Sequence, residues 1–286
     1  VWIVLVYYLG YLIKVAMDLP YLLSKIGVIK NSTKFLNDIL SVNIGTKRKN
    51  TIKNGAIEFK NVSFQYPGSR DYILRNFDLR IKQQEKLAIL GTSGSGKTTA
   101  MKLLVGMYPL LAGSILIDNV DIREIDLNYL RSEINYVNQR TSLFNETVLA
   151  NITYGHKHLK EEDVTAVLNK YGLDLVYSKL RHGIHTMAGV HGGSLSLGMQ
   201  KVTMLLRGLL RHHSSIIILD EPLAGLDATT RQKVMRLIKD IAKGKTLIVI
   251  THDREIIPYM DRVIDLSAHQ KQNKQGSNTA SAKPQQ

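Results

Sequence analysis

Eight consecutive residues, Gly91-Thr92-Ser93-Gly94-Ser95-Gly96-Lys97-Thr98, match the pattern G-x-x-x-x-G-K-[ST]. Glycines at these positions let backbone N–H groups turn inward around a phosphate, and a helix beginning at the end of the loop adds the positive end of its dipole. In such a loop Lys97 reaches β- and γ-phosphate oxygens, the Thr98 hydroxyl binds Mg²⁺, and Thr99 closes the candidate nucleotide-binding set. A second cluster, Ile216-Ile217-Ile218-Leu219-Asp220-Glu221, is an apolar run ending in two carboxylates. Successive side chains on a strand point to opposite sides, so Asp220 is expected to address the metal while Glu221 is aimed at an attacking water. Alone, the pair reads as two solvated acids at a strand end; beside a phosphate loop the catalytic reading is preferred.

Both clusters need rigid strands behind them, and the flanking sequence supplies these. LAIL at 87–90 precedes the glycine-rich loop and a helical run from Thr99 to Met107 follows it. From Ala56 to Leu266 short apolar runs alternate with helical patterns: LAIL, ILI at 115–117, IIIL at 216–219 and TLIVI at 246–250. Each has the length and apolar density of a parallel strand buried on both faces, which predicts an α/β fold.

Further residues fall between and after these motifs in a fixed order. Tyr66 lies in FQYPGS, Gln139 in YVNQ, Asp227 in AGLD and His252 in IVITHD. In isolation Tyr66 reads as a strand aromatic, Gln139 as a surface amide and His252 as a satisfied loop histidine. Taken in order with the phosphate loop and Asp220-Glu221, from about Ile57 to Leu266, they make a sequence that resembles the nucleotide-binding domain of an ATP-binding cassette (ABC) transporter. The resemblance implies a P-loop NTPase fold of the ABC ATPase type, with a mixed sheet core, an antiparallel β subdomain and an α-helical signature subdomain. It implies that Tyr66 stacks on adenine, that Gln139 and Asp220 serve Mg²⁺ with Thr98, and that Glu221 and His252 act on the water and the γ-phosphate. Asp227 matches the D-loop. Residue chemistry agrees: a π-face suits a purine, an amide oxygen suits a hard cation, and an imidazole donates to phosphate oxygen.

The chain departs from the family in the signature segment. Where L-S-G-G-Q is usual, this sequence has Leu195-Ser196-Leu197-Gly198-Met199. In the family this segment opens a helix that clamps nucleotide bound to the opposite domain, so Ser196 and Gly198 are expected to act in trans, and Leu197 adds bulk where backbone should approach the ligand. Thr186-Met187-Ala188-Gly189-Val190-His191-Gly192 looks like the exporter stretch T-x-V-G-E-x-G, with Val190 in place of glutamate.

The 286 residues carry 38 Lys and Arg against 24 Asp and Glu, a net charge of +14, and no cysteine. Thiolate metal sites, iron–sulfur clusters, disulfide scaffolds and cysteine nucleophiles are thereby excluded, and the basic surface prefers anionic partners. VWIVLVYYLGYLI at 1–13 is uncharged but spans only about 20 Å as a helix, too short to cross about 30 Å of hydrocarbon alone. It reads as the last part of a transmembrane helix whose beginning lies upstream, continuing through Leu22, Ile26, Leu36 and Leu40 toward the basic Lys47-Arg48-Lys49.

The expected organisation is therefore 1–45 as the end of the last transmembrane helix and its cytoplasmic extension, and 46–55 as a linker. Residues 56–267 are the ABC nucleotide-binding domain, and 268–286 a polar, disordered tail. The expected function is ATP binding and hydrolysis in an exporter at a membrane, with the ATPase on its cytoplasmic side. Expected partners are a transmembrane domain and a second nucleotide-binding domain, either a copy of this chain or a subunit with an intact signature; no nucleic acid is expected. The alternative is a soluble ABC-type ATPase acting on nucleic acid or ribosomes, favoured by the charge but lacking coiled-coil insertions or a tandem cassette.

Overall fold

The computed structural model describes residues 52–69, 71–138, 142–156, 158–210 and 214–267. The expected transmembrane end at 1–45, most of the linker, the polar tail and Gln139 lie outside the described residues.

Four strands form an antiparallel sheet in the order β2-β1-β4-β5, where β1 is Ile57–Phe64, β2 is Leu74–Ile81, β4 is Ala112–Ile117 and β5 is Val120–Asp121. Alternation explains β2: Leu74, Phe77, Leu79 and Ile81 point inward and the residues between are exposed. Five parallel strands form the second sheet in the order β6-β7-β8-β3-β9. Here β3 is Lys86–Leu90, β6 Ile134–Val137, β7 Ile216–Asp220, β8 Thr246–Ile250 and β9 Arg262–Asp265. The mix of strand directions that the resemblance implies is thus divided between two sheets.

One strand corrects the sequence reading. The run Ile115-Leu116-Ile117, grouped with the parallel strands, belongs to antiparallel β4: Ile115 and Ile117 are buried but Leu116 is only half-buried. Three apolar residues are too few to separate a one-faced strand from a two-faced one.

The central parallel strands β7 and β8 keep both faces dry, and their pleat assigns each side chain to one of two cores. Ile216, Ile218, Ile248 and Ile250 face the core that also holds Ala100, Met101, Leu103 and Leu104 of helix α1 (Lys97–Leu104) and the antiparallel sheet. Ile217, Leu219, Leu247 and Val249 face the other. Burying an aliphatic side chain of this kind stabilises the fold by about 1.5–3 kcal/mol, so these strands are the rigid support of everything at their ends.

Helix α2 (Leu127–Glu133), capped by Asp126, leads into β6. Between β6 and β7 the described chain is helical: α3 (Val148–Thr153, capped by Thr147), α4 (Glu161–Tyr171) and α5 (Leu197–Leu209, capped by Ser196). Helix α6 (Ala228–Ile241), capped by Asp227, follows β7. Val164 and Leu168 of α4, Leu205 and Leu206 of α5 and Val234 and Leu237 of α6 fill the second core.

The chain entering β1 is fixed by a single carboxylate. Asp118, in the turn between β4 and β5, accepts backbone N–H bonds from Lys53, Asn54, Gly55 and Ala56 at 2.8–3.2 Å. Burial pushes this carboxyl up, but the four donors outweigh burial and hold it below the ordinary value.

Candidate active site

The C-terminal ends of β3, β7 and β8 converge on one cleft, where an open parallel sheet is expected to hold its ligand. β3 runs into the glycine-rich loop, and α1 leaves it. Gly96 caps α1 with φ +91°, and a Cβ there would sit 2.7 Å from Leu74 Cδ2 and 3.2 Å from the Ile73 carbonyl oxygen. A Cβ on Gly91 would fall 2.8 Å from Ser95 Oγ. The loop therefore closes this tightly only with hydrogen at both positions. Because Gly96 has no side chain, no side-chain cap reaches the first-turn amides of α1, and they are donors suited to an anion.

Lys97 folds its ammonium over the loop, donating to the carbonyls of Gly91 at 2.6 Å and Thr92 at 2.8 Å and to Ser95 Oγ at 3.3 Å. Burial lowers its pKa, opposed by the charges of Glu221, Asp220 and Asp265.

Asp220, 5% exposed, ends β7. Its Oδ2 accepts from Thr98 Oγ1 at 3.1 Å and from the Tyr136 hydroxyl at 3.4 Å. Burial raises its pKa, Thr98 lowers it, and the Glu221 charge raises it further, so the net shift is upward. A buried carboxylate and a hydroxyl meeting at 3.1 Å are hard oxygen donors that fit Mg²⁺.

Glu221 does not continue the strand. Its φ is +51° and its N–H donates to the Ile250 carbonyl at 2.8 Å. The two acids do address different partners, as alternation predicts, but a left-handed residue and not the pleat separates them. Glu221 Oε1 lies 2.8 Å from His252 Nδ1, and Oε2 accepts from Thr251 Oγ1 at 3.1 Å. Both acids line the cleft, which has a volume of about 490 Å³ and also takes in Tyr66, the loop from Gly91 through Ser93, Gly94, Ser95 and Lys97 to Thr99, and His252.

Tyr66 stands at the rim. Its ring meets Phe64 and Tyr108 edge-on at 5.0 and 5.2 Å, and its hydroxyl lies 3.1 Å from Thr99 Oγ1. The ring is thus braced on one side and half-buried, a posture that suits stacking on a planar base.

Three sequence-predicted residues are not brought to this cleft within the chain. Ser196 caps α5 by accepting from Met199 N at 3.3 Å, Gly198 lies in that helix's first turn, and Asp227 caps α6. Asp227 accepts from both the N–H and the hydroxyl of Thr230, at 2.9 and 2.7 Å, and these bonds hold its carboxyl below the ordinary value. Leu197 is 76% exposed and Val190 68%, so both substituted positions are presented to the outside. Ile73, Ile250, Thr251 and Tyr136 were missed by the sequence reading. Tyr136 carried no local signal: it is the next-to-last residue of β6, and only strand pairing sets it beside the strand bearing Asp220.

Residues 74–224 match the family model described as ABC transporter. The chain is 36% identical over 212 residues to the ATP-dependent lipid A-core flippase of Haemophilus influenzae, covering 73% of this chain and 36% of that protein. It is 35% identical over 218 residues to the multidrug resistance protein pgp-1 of Caenorhabditis elegans, covering 76% of this chain and 16% of that one. The chain therefore spans little more than a third of the flippase it matches. A solved bacterial Atm1-family ABC exporter with ATP bound superposes with a TM-score of 0.72 at 25% identity, over 92% of this chain and 48% of that chain.

Proposed function

The chain belongs to the ABC transporter family, and from that premise we propose that residues 56–267 bind and hydrolyse ATP to drive an exporter. The observation that carries this reading is the single cleft lined by Lys97, Thr98, Asp220, Glu221 and His252, with Tyr66 at its rim. In this reading the loop amides and Lys97 hold the phosphates, Tyr66 stacks on the base, and Thr98 and Asp220 hold Mg²⁺, joined by Gln139. The cation, when bound, neutralises charge on the β- and γ-phosphates. Glu221, braced by Thr251 and His252, accepts a hydrogen bond from the attacking water and orients it toward the γ-phosphorus. His252 stabilises charge developing on the γ-phosphate oxygens.

Among the described residues, none of the signature segment lines the cleft. Ser196 and Gly198 lie away from the cleft of their own chain and Leu197 is exposed, which supports their acting on nucleotide held by a second domain. Two such domains related head to tail make two composite sites. Keeping Glu221 and His252 while altering the signature is what one half of an unequal pair would do, so the partner we favour is a subunit with an intact signature.

The exporter reading rests on the relatives, named as a flippase and a multidrug resistance protein, and on the exporter with bound ATP. None of these favours a soluble ATPase acting on nucleic acid or ribosomes. Among the described residues no helix is long and apolar enough to cross a membrane. Anchoring is assigned to the segment at 1–45, apolar over 1–13, and the ATPase to the cytoplasmic side, where the basic Lys47-Arg48-Lys49 follows. The test is the ATPase rate of the chain against protein concentration, with Glu221→Gln as control. A rate rising faster than linearly and lost in the control supports a composite site; a linear or Glu221-independent rate overturns it.

A further inference from the structure

Asp220 is fixed by two hydroxyls, and only one of them comes from the phosphate-loop segment. The second belongs to Tyr136 on β6. In the parallel register of β6 and β7, Tyr136 stands opposite Ile218. Side chains two apart on a strand share a face, so Ile218 and Asp220 point the same way, and a long side chain at position 136 leans along the strand toward the carboxylate. The Tyr136 ring packs against the core that holds Ile216 and Ile218, and its hydroxyl emerges at the polar end, 3.4 Å from Asp220 Oδ2.

That second bond has a specific consequence. The terminal torsion of an aspartate is broad, so one hydrogen bond leaves the carboxylate plane free to turn. Thr98 and Tyr136 both donate to Oδ2, whereas Oδ1 accepts no hydrogen bond among the described residues. Two donors on one oxygen fix the plane and leave the other oxygen for a cation or its bound water. A phenylalanine or an aliphatic residue at this position packs equally well but donates nothing.

We propose that Tyr136 is a positioning residue for the divalent cation: its hydroxyl, with that of Thr98, holds Oδ2 of Asp220 so that Oδ1 serves the metal. This rests on the nucleotide-site reading above and deepens it.

Tyr136→Phe removes one oxygen atom and keeps the ring, so the variant folds. Three quantities are measured on the chain and the variant: ATP affinity in EDTA, Mn²⁺ affinity with ATP present by electron paramagnetic resonance, and the thermal midpoint. The expected result is Mn²⁺ affinity about tenfold weaker, with ATP affinity in EDTA and the midpoint unchanged. Equal Mn²⁺ affinities overturn the proposal. A parallel loss of ATP affinity in EDTA also overturns it, because the residue then shapes the cleft and not the cation site. If the parent chain binds neither ATP nor Mn²⁺, the nucleotide-site reading itself fails, an outcome distinct from an unchanged Phe variant.

Discussion

Oε1 of Glu221 lies 2.8 Å from Nδ1 of His252, and the two residues differ sharply in exposure: the glutamate side chain is 13% exposed and the imidazole 78%. The histidine thus closes over the carboxylate from outside, while Thr251 holds Oε2 from within at 3.1 Å. The pairing depends on Glu221 leaving its strand with φ +51°, a conformation that costs a non-glycine residue about 1 kcal/mol or more. A bond from Glu221 N to the Ile250 carbonyl ties β7 to β8 at that point and sustains the turn.

Glu221→Gln is expected to separate binding from turnover. The carboxamide keeps the size of the side chain and can accept from Thr251, so the cleft keeps its shape, but it is a poor proton acceptor. ATP turnover should fall by about 100-fold or more, with equilibrium ATP affinity close to the parent's. Phosphate release and nucleotide binding measured on the same preparation check this, and turnover near the parent rate sinks the assignment of Glu221 to the water.

Lys97→Ala is expected to do the reverse. Among the described residues its ammonium bonds to oxygens of its own loop, and the charges of Asp220 and Glu221 oppose the lowering of its pKa by burial. Removing it takes away the cation that lies over the loop where phosphates must enter beside two carboxylates, and ATP affinity should drop by about tenfold or more. Binding of a fluorescent ATP analogue measures the effect. An affinity equal to the parent's would show that the loop amides suffice.

Asp118→Ala tests a carboxylate remote from catalysis. The net pKa shift is downward because the four backbone donors outweigh burial. A group with a depressed folded pKa contributes stability above its unfolded value, 3.8 here, and loses it as the pH falls through the lower folded value. At pH 7 the variant should be less stable by about 2 kcal/mol, and the gap should narrow as the pH falls below about 4. Urea unfolding at both pH values measures the gap; a gap that does not change with pH removes the carboxylate's charge from the explanation.

Much of this site was legible in the sequence because its pieces are local. The loop from Gly91 to Thr98 carries its conformation in its own glycines, and Ile216–Asp220 carries its burial in its own composition. What was not legible depends on register or on single torsions. The Tyr136 bond to Asp220 needs the parallel pairing of β6 with β7, which no pattern within either strand specifies. The turn at Glu221 is a left-handed residue where periodicity gives only alternation, and the misplacement of Ile115–Ile117 came from a run too short to show whether one face or two were buried.

The signature segment yields the sharpest test of partnership. Leu197 is the first residue of α5 and is 76% exposed, so it contributes little to the core; Ser196 spends its side chain on the Met199 N–H; and a Cβ on Gly198 would come no nearer than 4.0 Å to Leu226 Cδ2. Replacing Leu197 by Gly and Met199 by Gln restores the family pattern, and glycine in the helix costs at most about 1 kcal/mol. If the bulk of Leu197 keeps this helix start away from nucleotide on a second copy of the chain, the double variant should hydrolyse ATP about tenfold faster or more at high protein concentration, with little change at low concentration, where copies do not meet. Rate against concentration for parent and variant decides it. A steep gain means the parent's signature limits a pair of identical chains, as expected of a subunit adapted to an intact-signature partner. Equal rates at every concentration mean that Ser196 and Gly198 already suffice, and the argument for an unequal pair loses its basis.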